Sequence, residues 1–244
     1  MAVEVIRVKR YRNLLCLFLL PLLALALPRS GDAVAVQSVV TPQYIALTFD
    51  DGPAPETTER LLDGLKERGA HATFFLIGEQ IDGMEDIVKR MRDEGHQVGN
   101  HTYSHARIDC DSTAALGELN KADARLCEVL GEGDYWVRPP WGFASDTLKQ
   151  CVDTPLIYWS VDTEDWRSHN ADLIAHTIIE NAQNGDIVLL HDIYSESADA
   201  ALRAIDTLSA QGYQFVTVDE LFFCCGITPQ CGHFYICPDA EVCW

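Results

Sequence analysis

The chain has 244 residues, 48% of them apolar, with 18 Lys and Arg against 37 Asp and Glu and a formal charge of −19. That length supports one well-cored domain and not two large ones. The acidic balance argues against nucleic acid as a partner, because such a surface repels a polyanion.

Arg7, Lys9, Arg10 and Arg12 precede a run, Leu14 to Leu27, that is apolar apart from Pro21. Ala33-Val34-Ala35 then supplies the small residues that a signal peptidase accepts, so residues 1–35 are predicted to be a signal peptide cleaved after Ala35. The expected location is secreted or cell-envelope associated. The alternative, an uncleaved leader, is the one expected route to a membrane. Against it, the run is short for a span of about 20 residues. Without the leader, 13 basic and 35 acidic residues remain, a formal charge of −22, which a bound divalent cation would reverse locally.

From Tyr44 onward, short apolar runs alternate with amphipathic segments. Strands are expected at Tyr44–Thr48, Ala72–Ile77, Gln97–Gly99, Tyr135–Val137, Leu156–Val161, Asp186–Leu190 and Tyr213–Val216. Leu61, Leu62 and Leu65, then Ile87, Val88 and Met91, mark helices that stop at Gly69 and Gly95. Leu116, Leu119, Leu126, Val129 and Leu130 mark a third, and Leu173, Ile174, Thr177 and Ile178 a fourth with Asn170 as its cap. Strand followed by helix, repeated, implies an α/β fold with a mostly parallel sheet. In such folds reactive groups gather where strands end.

Eight cysteines lie beyond the leader: Cys110, Cys127, Cys151, Cys224, Cys225, Cys231, Cys237 and Cys243. An even count in an exported chain points to disulfides, with pairing that spacing alone does not decide. Residues 223–244 are expected to form a short Cys-rich, stapled appendage after a catalytic domain at 36–222. A zinc-binding tail is the alternative, although the close two-residue spacing of paired ligands is missing.

Two carboxylates, Asp50 and Asp51, follow the first strand directly, and Gly52-Pro53 turns the chain away. Adjacent carboxylates repel, so a cation or an arginine is needed to keep both ionised. His101 and His105 stand four apart, and on a helical turn they would share one face and grip one ion. Together with Asp51 they make a set of two histidines and one carboxylate, which leaves positions open for water and substrate.

These residues lie in five ordered motifs: Thr48-Phe49-Asp50-Asp51-Gly52, His101-Thr102-Tyr103-Ser104-His105, Arg138-Pro139-Pro140-Trp141-Gly142, Asp162-Thr163-Glu164-Asp165-Trp166 and Leu189-Leu190-His191-Asp192. The set resembles the polysaccharide deacetylases of the NodB-homology type, a carbohydrate esterase family that includes peptidoglycan N-acetylglucosamine and chitin deacetylases. The resemblance covers roughly Tyr44 to Phe222. It implies a distorted (β/α) barrel of about seven parallel strands and a polysaccharide substrate, with peptidoglycan ahead of chitin oligomers and acetylated xylan as the O-linked alternative. It also implies a divalent metal, zinc first and cobalt or nickel as alternatives, on Asp51, His101 and His105. By the same resemblance Asp50 is the general base, Arg138 its partner, His191 the general acid and Asp165 the carboxylate that orients it, with Asp162 a weaker candidate for that place. Trp141 is implied to offer a backbone N–H to the oxyanion, and Trp166 and Leu189 to line a pocket for the acetyl methyl group. The third motif more often has tyrosine where this chain has Trp141, which puts the shape of the sugar-binding rim in question. A catalytically silent glycan-binding protein is the alternative from another class, and the presence of both Asp50 and His191 counts against it.

Overall fold

The computed structural model describes residues 42–109, 111–143 and 145–241. The expected leader, Cys110 and Cys243 lie outside the described residues. In chain order the elements are β1 (Gln43–Asp50), α1 (Pro55–Arg68), β2 (Thr73–Leu76), α2 (Glu85–Asp93), β3 (Gln97–Asn100), α3 (Ser112–Leu130), α4 (Asp146–Cys151), β4 (Leu156–Ile157), β5 (Val161–Asp162), α5 (Asp165–Ser168), α6 (Ala171–Asn181), β6 (Ile187–His191), α7 (Ser195–Ala210), β7 (Tyr213–Phe215), α8 (Val218–Cys224), β8 (Phe234–Cys237) and β9 (Ala240–Glu241). Among the described residues no helix is long and apolar enough to cross a membrane.

Local chemistry accounts for the helix ends. Gly69 closes α1 in the left-handed region at φ 60°, where a side chain would be strained. The Asn170 side chain accepts the backbone N–H groups of Asp172 and Leu173 at the start of α6, as expected of a cap. Thr217 and Glu220 form a reciprocal capping box on α8. Within α6 the buried face is Ile174, Ala175 and Ile178, whereas Leu173, expected to join it, is half exposed.

All pairings in the main sheet are parallel, in the order β3-β2-β1-β6-β5, with β7 paired to the first half of β1. Two expected strands are reduced. Tyr135–Val137 contributes one bridge position, Val137, which touches Asn100 on one side and Leu156 on the other. Leu156–Val161 is broken into β4 and β5, because the Tyr158 N–H bonds to Tyr235 and the Ser160 N–H to Ile187. The pairings therefore run round a distorted barrel with a broken wall, and no continuous closed ladder forms among the described residues. The Cys-rich segment is joined to that wall: β8 pairs in parallel with β4, and Phe234 and Tyr235 are buried.

Side chains alternate across each strand, and this decides what reaches the interior. From β1, Ile45, Leu47 and Phe49 pack outward with Leu61, Leu62 and Leu65 of α1. Ala46, Thr48 and Asp50 take the opposite face. On β6, Val188 and Leu190 join the outer core, which leaves Ile187, Leu189 and His191 facing in. Phe75, Ile157, Phe222 and Tyr235 pack together in the interior, with Phe75 opposite Asp50 in the β1–β2 ladder and against Arg138.

Candidate active site

A cleft of about 420 Å³ opens at the C-terminal ends of the strands. Asp50, Asp51, His101, His105, Trp141, Trp166, Leu189 and His191 all line it. Arg138 and Asp165 are wholly buried and reach the cleft through other side chains. The ten expected site residues are thus brought together.

His101 Nε2 and His105 Nε2 stand 3.4 and 3.3 Å from Asp51 Oδ1. Ligand atoms about 2.0–2.2 Å from a tetrahedral ion are separated by roughly 3.3 Å, so the spacing suits one cation. Among the described residues Asp51 Oδ1 is buried with no hydrogen-bond partner, a costly arrangement that a cation would relieve. His101 Nδ1 lies 2.7 Å from the Arg138 carbonyl. A carbonyl only accepts, so Nδ1 carries the proton and Nε2 keeps its lone pair for a metal. Burial raises the cost of a charged Asp51, yet His101 foremost, then His191 and His105, hold its carboxyl below the usual value. Burial, reinforced by His101, keeps the His105 pKa low and its imidazole available as a ligand.

The two histidines meet on a loop and not on the helical turn that their spacing suggested. Residues 101–105 have no helical assignment, and Thr102 and His105 take φ values of 67° and 57°. Asn100 holds the loop by accepting the Thr102 N–H at 2.8 Å. Asp51 and Trp141 are also left-handed, at 72° and 54°. Each such non-glycine residue costs of order 1–3 kcal/mol, and these four lie at or beside the cleft.

Asp50 is 3% exposed and receives Arg138 Nη1 at 2.8 Å. Arg138 is fixed by three further acceptors, Thr48 Oγ1 and the carbonyls of Ile157 and Tyr158, and lies over the Phe75 ring. Burial lowers the Arg138 pKa, with Asp50 opposing the shift. Asp50 is therefore held in one rotamer, with its other oxygen 3.8 Å from His101 Nε2.

Asp165 receives the His191 ring Nδ1 at 2.8 Å and the His191 backbone N–H at 2.7 Å. Burial alone would strip His191 of its proton, but the Asp165 contact and charge outweigh it and raise the pKa to about 9. Asp162, the weaker candidate for the orienting place, instead accepts the Glu164 N–H. Trp166 is half exposed at the cleft rim, so core packing does not explain it. Trp141 is 56% exposed and packs edge-on against His105 with ring centroids 4.4 Å apart.

Several contributors escaped sequence reasoning. Ser197 donates to Asp165 at 2.6 Å, and no signal marks it among the residues of α7. Thr48 holds Arg138, a role that strand alternation with Asp50 could have suggested. Trp159 and Tyr194 also line the cleft. Asp192 is wholly buried beside His191, and burial pushes its carboxyl up to about 7.

A mostly parallel β/α scaffold with a two-histidine, one-carboxylate set at its strand ends defines a class of metal-site α/β proteins. Within that class, a family model described as polysaccharide deacetylase matches residues 37–154. The peptidoglycan-N-acetylglucosamine deacetylase PgdA of Listeria monocytogenes is 38% identical over 197 residues, covering 80% of this chain and 42% of that protein. A peptidoglycan-N-acetylglucosamine deacetylase of Bacillus cereus is 37% identical over 197 residues, covering 73% of this chain and 88% of that protein. The structure of a family 4 acetyl xylan esterase from Clostridium thermocellum with a cobalt ion superposes with a TM-score of 0.77 at 31% identity, covering 81% of this chain and 100% of that one. The chain belongs to the polysaccharide deacetylase family. It spans about two fifths of the length of the first curated relatives it matches.

Proposed function

We propose that the protein hydrolyses N-acetyl groups on N-acetylglucosamine residues of peptidoglycan, with zinc on Asp51, His101 and His105. The observation that carries this reading is the separation of proton acceptor from proton donor: Asp50, paired with Arg138, and His191, backed by Asp165, line one cleft with the metal set. A bound divalent ion supplies a Lewis acid for the acetyl carbonyl and acidifies water at its open position.

Asp50 accepts the proton of the attacking water, and Arg138 holds its carboxylate in the orientation this needs. The Trp141 backbone N–H shares the charge that develops on the carbonyl oxygen. His191 enters the reaction protonated and gives its proton to the leaving amine, which otherwise departs poorly. Leu189 and Trp166 enclose the acetyl methyl group. Supporting the substrate class, the Listeria and Bacillus relatives carry the peptidoglycan deacetylase name. The leader at 1–35 exports the chain to the envelope, where that polymer lies.

A second reading, O-deacetylation of xylan, is favoured by the likeness to the Clostridium thermocellum esterase. Acetate release from peptidoglycan, chitin oligomers and acetylxylan, before and after chelation and zinc restoration, separates the readings. Release from peptidoglycan that chelation abolishes and zinc restores is the expected result. Release from acetylxylan alone replaces it with the second reading, and no release from any glycan sinks both.

A further inference from the structure

Asp192 is a buried acidic residue for which the catalytic reading has no use. It is 0% exposed, and its Oδ1 has no hydrogen-bond partner among the described residues. A half-partnered buried carboxyl costs the fold stability, so the position calls for an explanation. Its neighbours provide one. Oδ2 accepts the Thr58 hydroxyl at 2.5 Å, and the same hydroxyl accepts the Ala54 N–H at 2.8 Å. The carboxyl also lies flat against Gly52: a methyl group there would stand 2.3 and 2.5 Å from its two oxygens. A side chain at that distance would force the buried carboxyl to shift, so the close approach favours glycine.

These contacts join two segments that meet at the cleft. Gly52 and Ala54 belong to the turn that follows the metal-ligand candidate Asp51. Asp192 follows His191, the proposed proton donor. Thr58 stands on α1, away from the cleft lining. We propose that Asp192 and Thr58 are positioning residues that clamp the Asp51–Ala54 turn to the His191 loop, fixing the metal-binding carboxylate relative to the proton donor. The clamp acts by contact and hydrogen bonding, through Thr58 to Ala54 on one side and through packing on Gly52 on the other. Displacement of the turn would carry Asp51, already at φ 72°, away from His101 and His105.

The inference rests on the proposed metal-dependent reading, so its test includes zinc affinity as well as turnover. Thr58→Val removes the hydroxyl while keeping the branched shape, and Thr58→Ser restores it. Asp192→Asn and Asp192→Ala grade the loss at the other end. Zinc affinity by chelator competition, kcat, KM and Tm are measured for each, with full-length protein. Thr58→Val and Asp192→Ala should each weaken zinc binding by about tenfold or more, within the range for groups that orient metal ligands. kcat should fall with KM little changed, Thr58→Ser should return both zinc affinity and kcat to near wild type, and the double variant Thr58→Val/Asp192→Ala should be no worse than Asp192→Ala alone. Should Asp192→Ala fail to fold, the Thr58 pair decides. Folded Thr58→Val with unchanged zinc affinity and kcat, or a fall in Tm alone, overturns the clamp. Weakened zinc affinity in variants of a wild type that releases no acetate supports the clamp and removes the deacetylase reading instead.

Discussion

Asp50 and His191 are register partners in the parallel ladder of β1 and β6. Both end their strands on the inner face, so the proposed acceptor and the proposed donor of a proton enter the same cleft from adjacent strands. Each is backed by a different buried group, Arg138 for one and Asp165 for the other. A cation stands behind Asp50 and an anion behind His191, and the anion holds the proton on the His191 ring.

Replacing Asp50 by Asn keeps the shape and removes the proton acceptor. Acetate release should fall by about 10²-fold or more, in line with the loss of a general base. Bound zinc should stay near wild-type content, because the three ligand candidates are untouched. Metal analysis and turnover on one preparation check both halves, and an unaltered rate removes Asp50 from this role.

His101→Ala tests the ligand set. Its Nδ1–H is committed to the Arg138 carbonyl, so Nε2 is the atom offered to zinc, and alanine deletes it. Zinc affinity and turnover should fall together, and added zinc should recover only part of the rate. Equal zinc content in wild type and variant would show that the ion sits elsewhere.

The His191 pKa of about 9 makes a pH prediction. The donor must be protonated, so on the alkaline side kcat falls as pH rises through 9. Asp165→Asn removes the largest contribution holding the proton on, leaving burial opposed only by the more distant Asp50 and Asp51. The alkaline limb should then move down by more than one pH unit, toward or below the ordinary histidine value of 6.5. A pH–kcat profile whose limb stays near 9 in Asp165→Asn would detach Asp165 from His191.

Much of the site was legible because its chemistry is local in sequence. Asp50 and Asp51 are adjacent, His101 and His105 four apart, and alternation along β1 and β6 turns Thr48, Asp50, Leu189 and His191 inward. What stayed hidden depends on contacts between distant segments. Nothing near His101 says that the Arg138 carbonyl selects its tautomer, and nothing in α7 says that Ser197 secures Asp165. The spacing of His101 and His105 suited a helix equally well, but left-handed Thr102 and His105 made it a loop. The tail shows the same limit from the other direction. Its cysteines drew attention to covalent staples, while the apolar Phe234-Tyr235-Ile236 run between them was the strand signal.

That run carries a stability prediction. Phe234 is 1% exposed and packs with Leu156 and Leu148, while the Tyr158 ring meets it edge-on at 5.2 Å. Leu156, opposite it in the β4–β8 ladder, leads into the segment whose Tyr158 carbonyl anchors Arg138. Phe234→Ala should therefore cost about 3–5 kcal/mol in urea unfolding, the usual penalty for emptying a buried phenylalanine site. Turnover per folded molecule should also drop, because the strand that fixes Arg138, and through it Asp50, loses its outer support. A cost below 1 kcal/mol, with full activity, would mean that the Cys-rich segment hangs from the barrel without bracing it.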